Sequence, residues 1–244
     1  MQPKSNYHLL LQLLLALLQL LHAFTFAMGY LGGIYFIANW TSEDIAAEAQ
    51  GFVWLDDLAA VGDGPARKRA QDWVWDWIAR YGTGRGPGWS PDLTGRRLIR
   101  WINHALFLLS GRDKAQSEAY FAQVTAQTVF LSGRWKQAAP GRPRFEALAG
   151  LVVAGLALTG MEKLVAPAVA ALAAECAREV DRRGGIPTRN PEELLDVFTL
   201  LTWAEQALSE AGRMPPPALV QALERIAPTL RAPVSATSTM SPPP

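Results

Sequence analysis

Cysteine is almost absent: Cys176 is the only one in 244 residues, so no intrachain disulfide can form. Its place in an alanine-rich run reads as a small residue of a helix core. Histidine is nearly as scarce, with only His8, His22 and His104. A metal site built on His and Cys ligands is therefore set aside, and no metal or cofactor is expected. Neither sign of charge is in excess, with 23 basic residues against 22 acidic for a net of +1. Nucleic-acid binding needs a concentrated basic face, so this balance argues against nucleic acid as a partner. Sustained two-residue alternation is missing too, and no β-sheet is expected.

What the chain does have is apolar mass. Half of its residues are apolar and nine are Trp, enough for a sizeable core. The first 40 residues form an apolar leader, nearly unbroken from Leu9 to Ala38. That stretch exceeds the roughly 20 residues needed to cross a bilayer. A membrane anchor is the first expectation, and an export signal ending near Thr25-Phe-Ala27 the second. Both place the protein in the periplasm or on a membrane, with residues 9–38 as the membrane contact. A buried helix, or a reading frame begun too early, would leave it cytoplasmic.

Residues 41–231 change to amphipathic segments punctuated by Gly and Pro. Helices are expected from Ser42 to Ala60, from Ala66 to Tyr81 behind Pro65, and from Leu93 to Leu109. Asp113 caps the next, Phe145 to Leu158 is apolar nearly all round, and another runs from Val165 to Arg182 before Gly184-Gly185. Asn190-Pro191 starts a helix to Ala211, and Pro217 to Leu230 is the last. Helices of this length with short links predict an all-α fold of paired antiparallel helices, an (α/α) toroid or an incomplete one. Residues 232–244 are low-complexity and are expected to be disordered.

Three segments carry a family resemblance. The run Trp89-Ser-Pro-Asp-Leu-Thr-Gly-Arg-Arg-Leu-Ile-Arg-Trp101 resembles the helix signature of heparinase II/III-like polysaccharide lyases, with Arg97 four residues before Trp101-Ile102. Asp181-Arg-Arg-Gly-Gly-Ile-Pro-Thr-Arg-Asn190 is similar to a second signature, and residues 51–58 read like the opening of bacterial members. The resemblance implies the N-terminal toroid domain of an enzyme that cleaves uronic-acid polysaccharides by β-elimination. Such chemistry needs a group to neutralise the C5 carboxylate, a base for the C5 proton and an acid for the leaving oxygen. At two places the pattern departs: Arg144-Phe-Glu146 stands where relatives carry an Asn-Asn-His-like run, and Glu192-Glu193 where they carry Tyr-His. The resemblance implies a β-sheet domain after Arg231, where a Ser/Thr/Pro-rich stretch is read instead and a truncated chain is expected.

The residues expected to act follow from that resemblance and from side-chain chemistry. Asn190 and His104 are the catalytic candidates, with Tyr81 or Tyr120 as partners for the histidine. Trp89, Arg97, Arg144 and Arg189 are expected to bind substrate, Trp89 by stacking on a sugar ring and the arginines by gripping anionic groups. Each has a plainer reading: Asn190 as a helix cap, His104 with a single hydrogen bond, and Arg96, Arg97 and Arg100 in ion pairs with nearby acids such as Asp56, Asp57 or Asp92. Of Trp73, Trp75 and Trp77, at most two can be buried together. The expected function is therefore a heparinase II/III-like lyase acting on an acidic polysaccharide. The alternatives are a non-catalytic glycan- or protein-binding module, or a truncated remnant.

Overall fold

The computed structural model describes residues 42–231, and all regular structure among them is helical. The leader and tail read from the sequence lie outside the described residues. None of the described helices is long and apolar enough to cross a membrane. Contacts divide the chain into two units between Ala46 and Ala47, and the core and its pockets belong to the second.

The helices are α1 (Ser42–Gly51), α2 (Trp54–Val61), α3 (Gly64–Tyr81), α4 (Pro91–Asn103), α5 (Ala105–Leu109), α6 (Lys114–Arg134), α7 (Arg142–Ala157), α8 (Val165–Glu179), α9 (Pro191–Glu210) and α10 (Pro217–Arg231). Short 3₁₀ turns follow α6 at Trp135–Gln137 and precede α8 at Glu162–Leu164. The starts sit where side-chain chemistry puts them. Asp63 accepts from the Ala66 N–H, Asp113 forms a capping box with Gln116, and Asn190 accepts from Glu192 and Glu193.

Two expected helices are broken. The segment from Ser42 to Ala60 bends at Phe52, whose φ of 61° no helix interior tolerates. The bend drives the Phe52 ring into the core, edge-on to Trp77 and Trp101 at 5.9 and 5.3 Å between ring centroids. The segment from Leu93 to Leu109 breaks at His104, whose backbone leaves the helical region while its side chain bonds to Asp56. Periodicity alone registers neither break, because the apolar stripe continues across both.

α7 is the central element. Every residue from Phe145 to Gly155 is buried, and α7 packs against α4, α6, α8 and α9, while α10 closes on α8 and α9. Contact with α4 is the most extensive. It is made backbone to backbone at Gly95 and Gly150. A Cβ on Gly95 would overlap the Glu146 carbonyl oxygen and lie 2.7 Å from the Ala147 Cα; one on Gly150 would sit 2.8 Å from the Gly95 carbonyl carbon. Beside this crossing Trp77, Trp101 and Tyr120 form a cluster, and the Tyr120 hydroxyl donates to the Trp101 carbonyl. Trp77 is buried, Trp75 half-buried and Trp73 46% exposed, so the three follow the helical spacing.

Candidate functional site

A concave pocket of about 150 Å³ opens where α1, α4, α7 and α9 meet. Its walls carry Arg96 and Arg100 from α4, Arg142 and Glu146 from the first turns of α7, Glu48 from α1, and Asp196 and Trp203 from α9. The guanidinium of Arg96 donates from Nε and Nη2 to Glu146 Oε1 at 3.1 and 2.6 Å, and from Nη1 to Glu48 at 2.9 Å. Arg142 donates to Asp196 at 2.9 Å, tying α7 to α9. Arg100 donates to Asp56 Oδ2 at 2.8 Å, and Asp56 Oδ1 bonds the His104 ring at 2.9 Å. Each cation of the wall thus already faces a carboxylate. The lining charges cancel, three arginines against Glu48, Glu146 and Asp196.

Burial pushes the Glu146 carboxyl above the usual carboxylate range, against the pull of Arg96 and Arg142. Its Oε2 and the Nε of Arg142 are both buried and have no hydrogen-bond partner. For Asp56, burial raises the pKa, but the hydrogen bond to His104 and the charge of Arg100 outweigh it and hold the carboxyl below the usual range. The folded chain therefore binds the Asp56 proton less readily than the unfolded chain does. That contribution to stability is full above the ordinary carboxylate pKa of about 4 and drains away as pH falls below it. Asp56→Asn is expected to flatten this acid-side loss, as read from unfolding midpoints of both proteins from about pH 6 down to about pH 3.

The structure scatters the residues expected from the sequence. Arg97 has no exposed surface through which to grip a substrate. It donates to Gln127 at 2.7 Å and to the carbonyls of Gln50 and Gly88 at 3.0 Å each, with its guanidinium 4.1 Å from the Trp77 ring centroid. Burial pushes its pKa down to about 9, and the surrounding acceptors and indole face keep the charge in place at neutral pH. Trp89 is half-buried between Trp77 and Phe130 and donates to the Tyr81 carbonyl, so its ring belongs to the aromatic core rather than to an open loop. Arg144 donates to the Ala138 carbonyl at 2.6 Å, closing the turn after α6. His104 bonds to Asp56, while Tyr120 is engaged with Trp101; no His–Tyr pair forms among the described residues. Asn190 caps α9, and Arg189 beside it is exposed with a φ of 52°.

Trp203, Asp196 and Arg142 belong to no motif legible in the sequence. Their signal lies in the spacing: Asp196, Thr199, Leu200 and Trp203 fall on one face of α9, and Arg142 and Glu146 are one turn apart on α7. Only the docking of these helices turns two ordinary amphipathic stripes into one pocket.

No family model matches the chain. FtsZ-localized protein C of Caulobacter vibrioides is 30% identical over 197 residues, which cover 78% of this chain and 33% of that protein. Among solved structures, the heparan sulfate lyase HepC of Pedobacter heparinus superposes with a TM-score of 0.54 at 18% identity, over 79% of this chain and 32% of the lyase. The chain thus spans about a third of the length of each. At that identity the likeness to the lyase is one of fold: the described residues form an all-helical, toroid-type arrangement.

Proposed function

We propose that this chain is the helical toroid part of a heparinase II/III-like protein, and that the Trp203 pocket binds a sugar unit of a polysaccharide. The observation that carries this reading is the pocket wall itself. It sets the half-buried Trp203 indole beside the guanidinium of Arg100 and among the carboxylates of Glu48 and Asp196. A sugar hydroxyl donates and accepts at once, and a sugar ring face stacks on an indole. The fold shared with a heparan sulfate lyase and the three signature-like segments support the same substrate class.

The pocket is a binding and positioning site in this reading. Its lining holds no tyrosine or histidine to pass protons, and Glu146 is held by Arg96. The full chain is expected to bind uronate oligosaccharides without raising absorbance near 232 nm, the band of unsaturated uronates. Titration calorimetry with heparan, chondroitin and alginate oligosaccharides checks the first point and the absorbance assay the second. Trp203→Ala should weaken binding about tenfold or more, the loss of a stacking aromatic of roughly 1–2 kcal/mol. Absence of binding to every member from folded protein sinks the reading. A rise at 232 nm abolished by Glu146→Gln would instead make Glu146 the base of an active lyase.

A second reading, a helical module that binds a protein partner, is favoured by one observation: the 30% identity to a protein named for its localization with FtsZ. Binding of a protein partner undiminished by Trp203→Ala, with no glycan bound, would select it.

A further inference from the structure

The aromatic residues that the fold gathers are not all interior. A cleft of about 490 Å³ lies between the α1–α2 bend and α3, and among the described residues it shares no lining side chain with the Trp203 pocket. Five rings wall it: Phe52 and Trp54 from the bend, and Trp73, Trp77 and Tyr81 from α3. The last three recur at four-residue spacing, so one stripe of α3 supplies them all.

These walls are fixed before any ligand arrives. The Trp54 and Trp73 rings meet at 87° with centroids 4.9 Å apart, a corner of two indoles, and Trp73 remains half exposed. Trp54 is held by its indole N–H, which donates to the Ala49 carbonyl at 3.2 Å, and by the Phe52 ring at 4.8 Å. Trp77 is buried and donates to Gln50 Oε1 at 2.7 Å. The loop at Gly86 closes on the Tyr81 ring, where a Cβ on the glycine would lie 2.6 Å from Cδ1. A ligand entering the cleft therefore meets rings that lose little freedom on binding it.

The chemistry of the cleft selects among ligands. The indole N–H groups of Trp54 and Trp77 are already engaged, which leaves few partners for the hydroxyls of a polyol. What remains on offer is the negative face of the rings and the Asp76 carboxylate, and both attract positive charge. The protein uses its indoles in this way elsewhere: Arg97 lies 4.1 Å from the Trp77 centroid and Arg112 lies 4.7 Å from that of Trp75. Primary ammonium and guanidinium groups must find acceptors for their hydrogens, whereas a quaternary ammonium has none to satisfy. Among the described residues Arg80 is the cation of this lining. It donates to Asp76 at 2.9 Å, an exposed pair of adjacent turns that contributes little and leaves the carboxylate available.

We propose that this cleft binds a quaternary ammonium group, with the Trp54–Trp73 corner and Tyr81 around its methyl groups and Asp76 as the counter-charge. The site is separate from the Trp203 pocket and stands whether or not that pocket takes a sugar. Free choline and a choline-bearing lipid headgroup carry the same cation, and the cleft is roomy enough for the chain attached to it.

The test titrates the full chain with choline, with tetramethylammonium and with neohexanol, the neutral carbon isostere of choline, by calorimetry at constant ionic strength. Choline and tetramethylammonium should bind with dissociation constants on the order of 1 mM, and neohexanol at least about tenfold more weakly. Trp73→Ala, at an exposed position that folding tolerates, should weaken choline about tenfold, and Trp73→Phe should recover part of the loss. Arg80→Gln, which frees Asp76, should strengthen binding about twofold. Sedimentation with phosphatidylcholine vesicles, compared with phosphatidylglycerol vesicles, separates the two sources. Pelleting with the former that Trp73→Ala abolishes assigns the lipid headgroup, and choline binding without such pelleting assigns the free cation. Equal affinity for neohexanol and choline overturns the proposal, as does choline binding undiminished in Trp73→Ala. Failure of the folded wild type to bind either cation overturns it too, and leaves the Trp203 reading untouched.

Discussion

Gly95→Ala is expected to lower the stability of the folded chain by at least about 3 kcal/mol, the upper end of the range for overpacking. The substituted methyl has nowhere to go. Its neighbours at the α4–α7 crossing are the Glu146 carbonyl and the Ala147 Cα, both backbone, so no side chain can swing aside. Alanine's better helix propensity returns only about 1 kcal/mol. For a domain of this size the unfolding midpoint should fall by roughly 6–12 °C. Gly150→Ala meets the same surface from the other helix, its methyl falling on Gly95 itself. The two substitutions therefore demand one and the same separation of α4 from α7. The double variant should cost clearly less than the sum of the singles, a coupling that a double-mutant cycle in denaturant measures. A change within about 0.5 kcal/mol for either single variant would mean that the helices do not cross in backbone contact here. Because Glu146 lies at this crossing, the same variants should also disturb the saccharide pocket.

Arg97→Met is expected to destabilise by about 3–5 kcal/mol even though methionine nearly fills the space. The guanidinium is a buried cation with no carboxylate partner, held by Gln127, by the carbonyls of Gln50 and Gly88, and by the face of Trp77. Removing it relieves the desolvation of a charge, which favours the variant. Against that, it strands three acceptors in the interior at about 1–3 kcal/mol each, and it releases the loop carrying Gly88 from the end of α1. Arg97→Lys should recover part of the loss, since one ammonium cannot reproduce the fork that reaches three acceptors at once. Chemical denaturation with tryptophan fluorescence reads both effects, because Trp77 and Trp89 report on this cluster. Wild-type stability in Arg97→Met would show that the acceptors find other donors and that Arg97 is dispensable for the fold.

The fate of Arg97 also explains how far the sequence could be read. An arginine one turn before a tryptophan on a helix is consistent with a solvent-facing grip or with a buried strut. Local pattern does not separate these, because whether the face is covered depends on α1, the loop at Gly88 and α6, which local periodicity does not place. Trp89 is the same case: its glycine-rich surroundings read as an open loop, while Trp77 and Phe130 cover the ring.

Local chemistry determined a good deal without help. The all-helical class follows from apolar periodicity and the lack of alternation, and the starts of α6 and α9 follow from Asp113 and Asn190, because a cap bonds to backbone two or three residues away. The burial of α7 on most of its sides was legible in its composition. Tertiary structure decided the rest. It bent the chain at Phe52 and His104, where a core ring and a carboxylate of another helix outweigh helical continuity. It placed Gly95 against Gly150, and it gathered Arg96, Arg142, Glu146, Asp196 and Trp203 into one pocket. Those outcomes depend on contacts between residues far apart along the chain, and no sequence window contains both partners of such a pair.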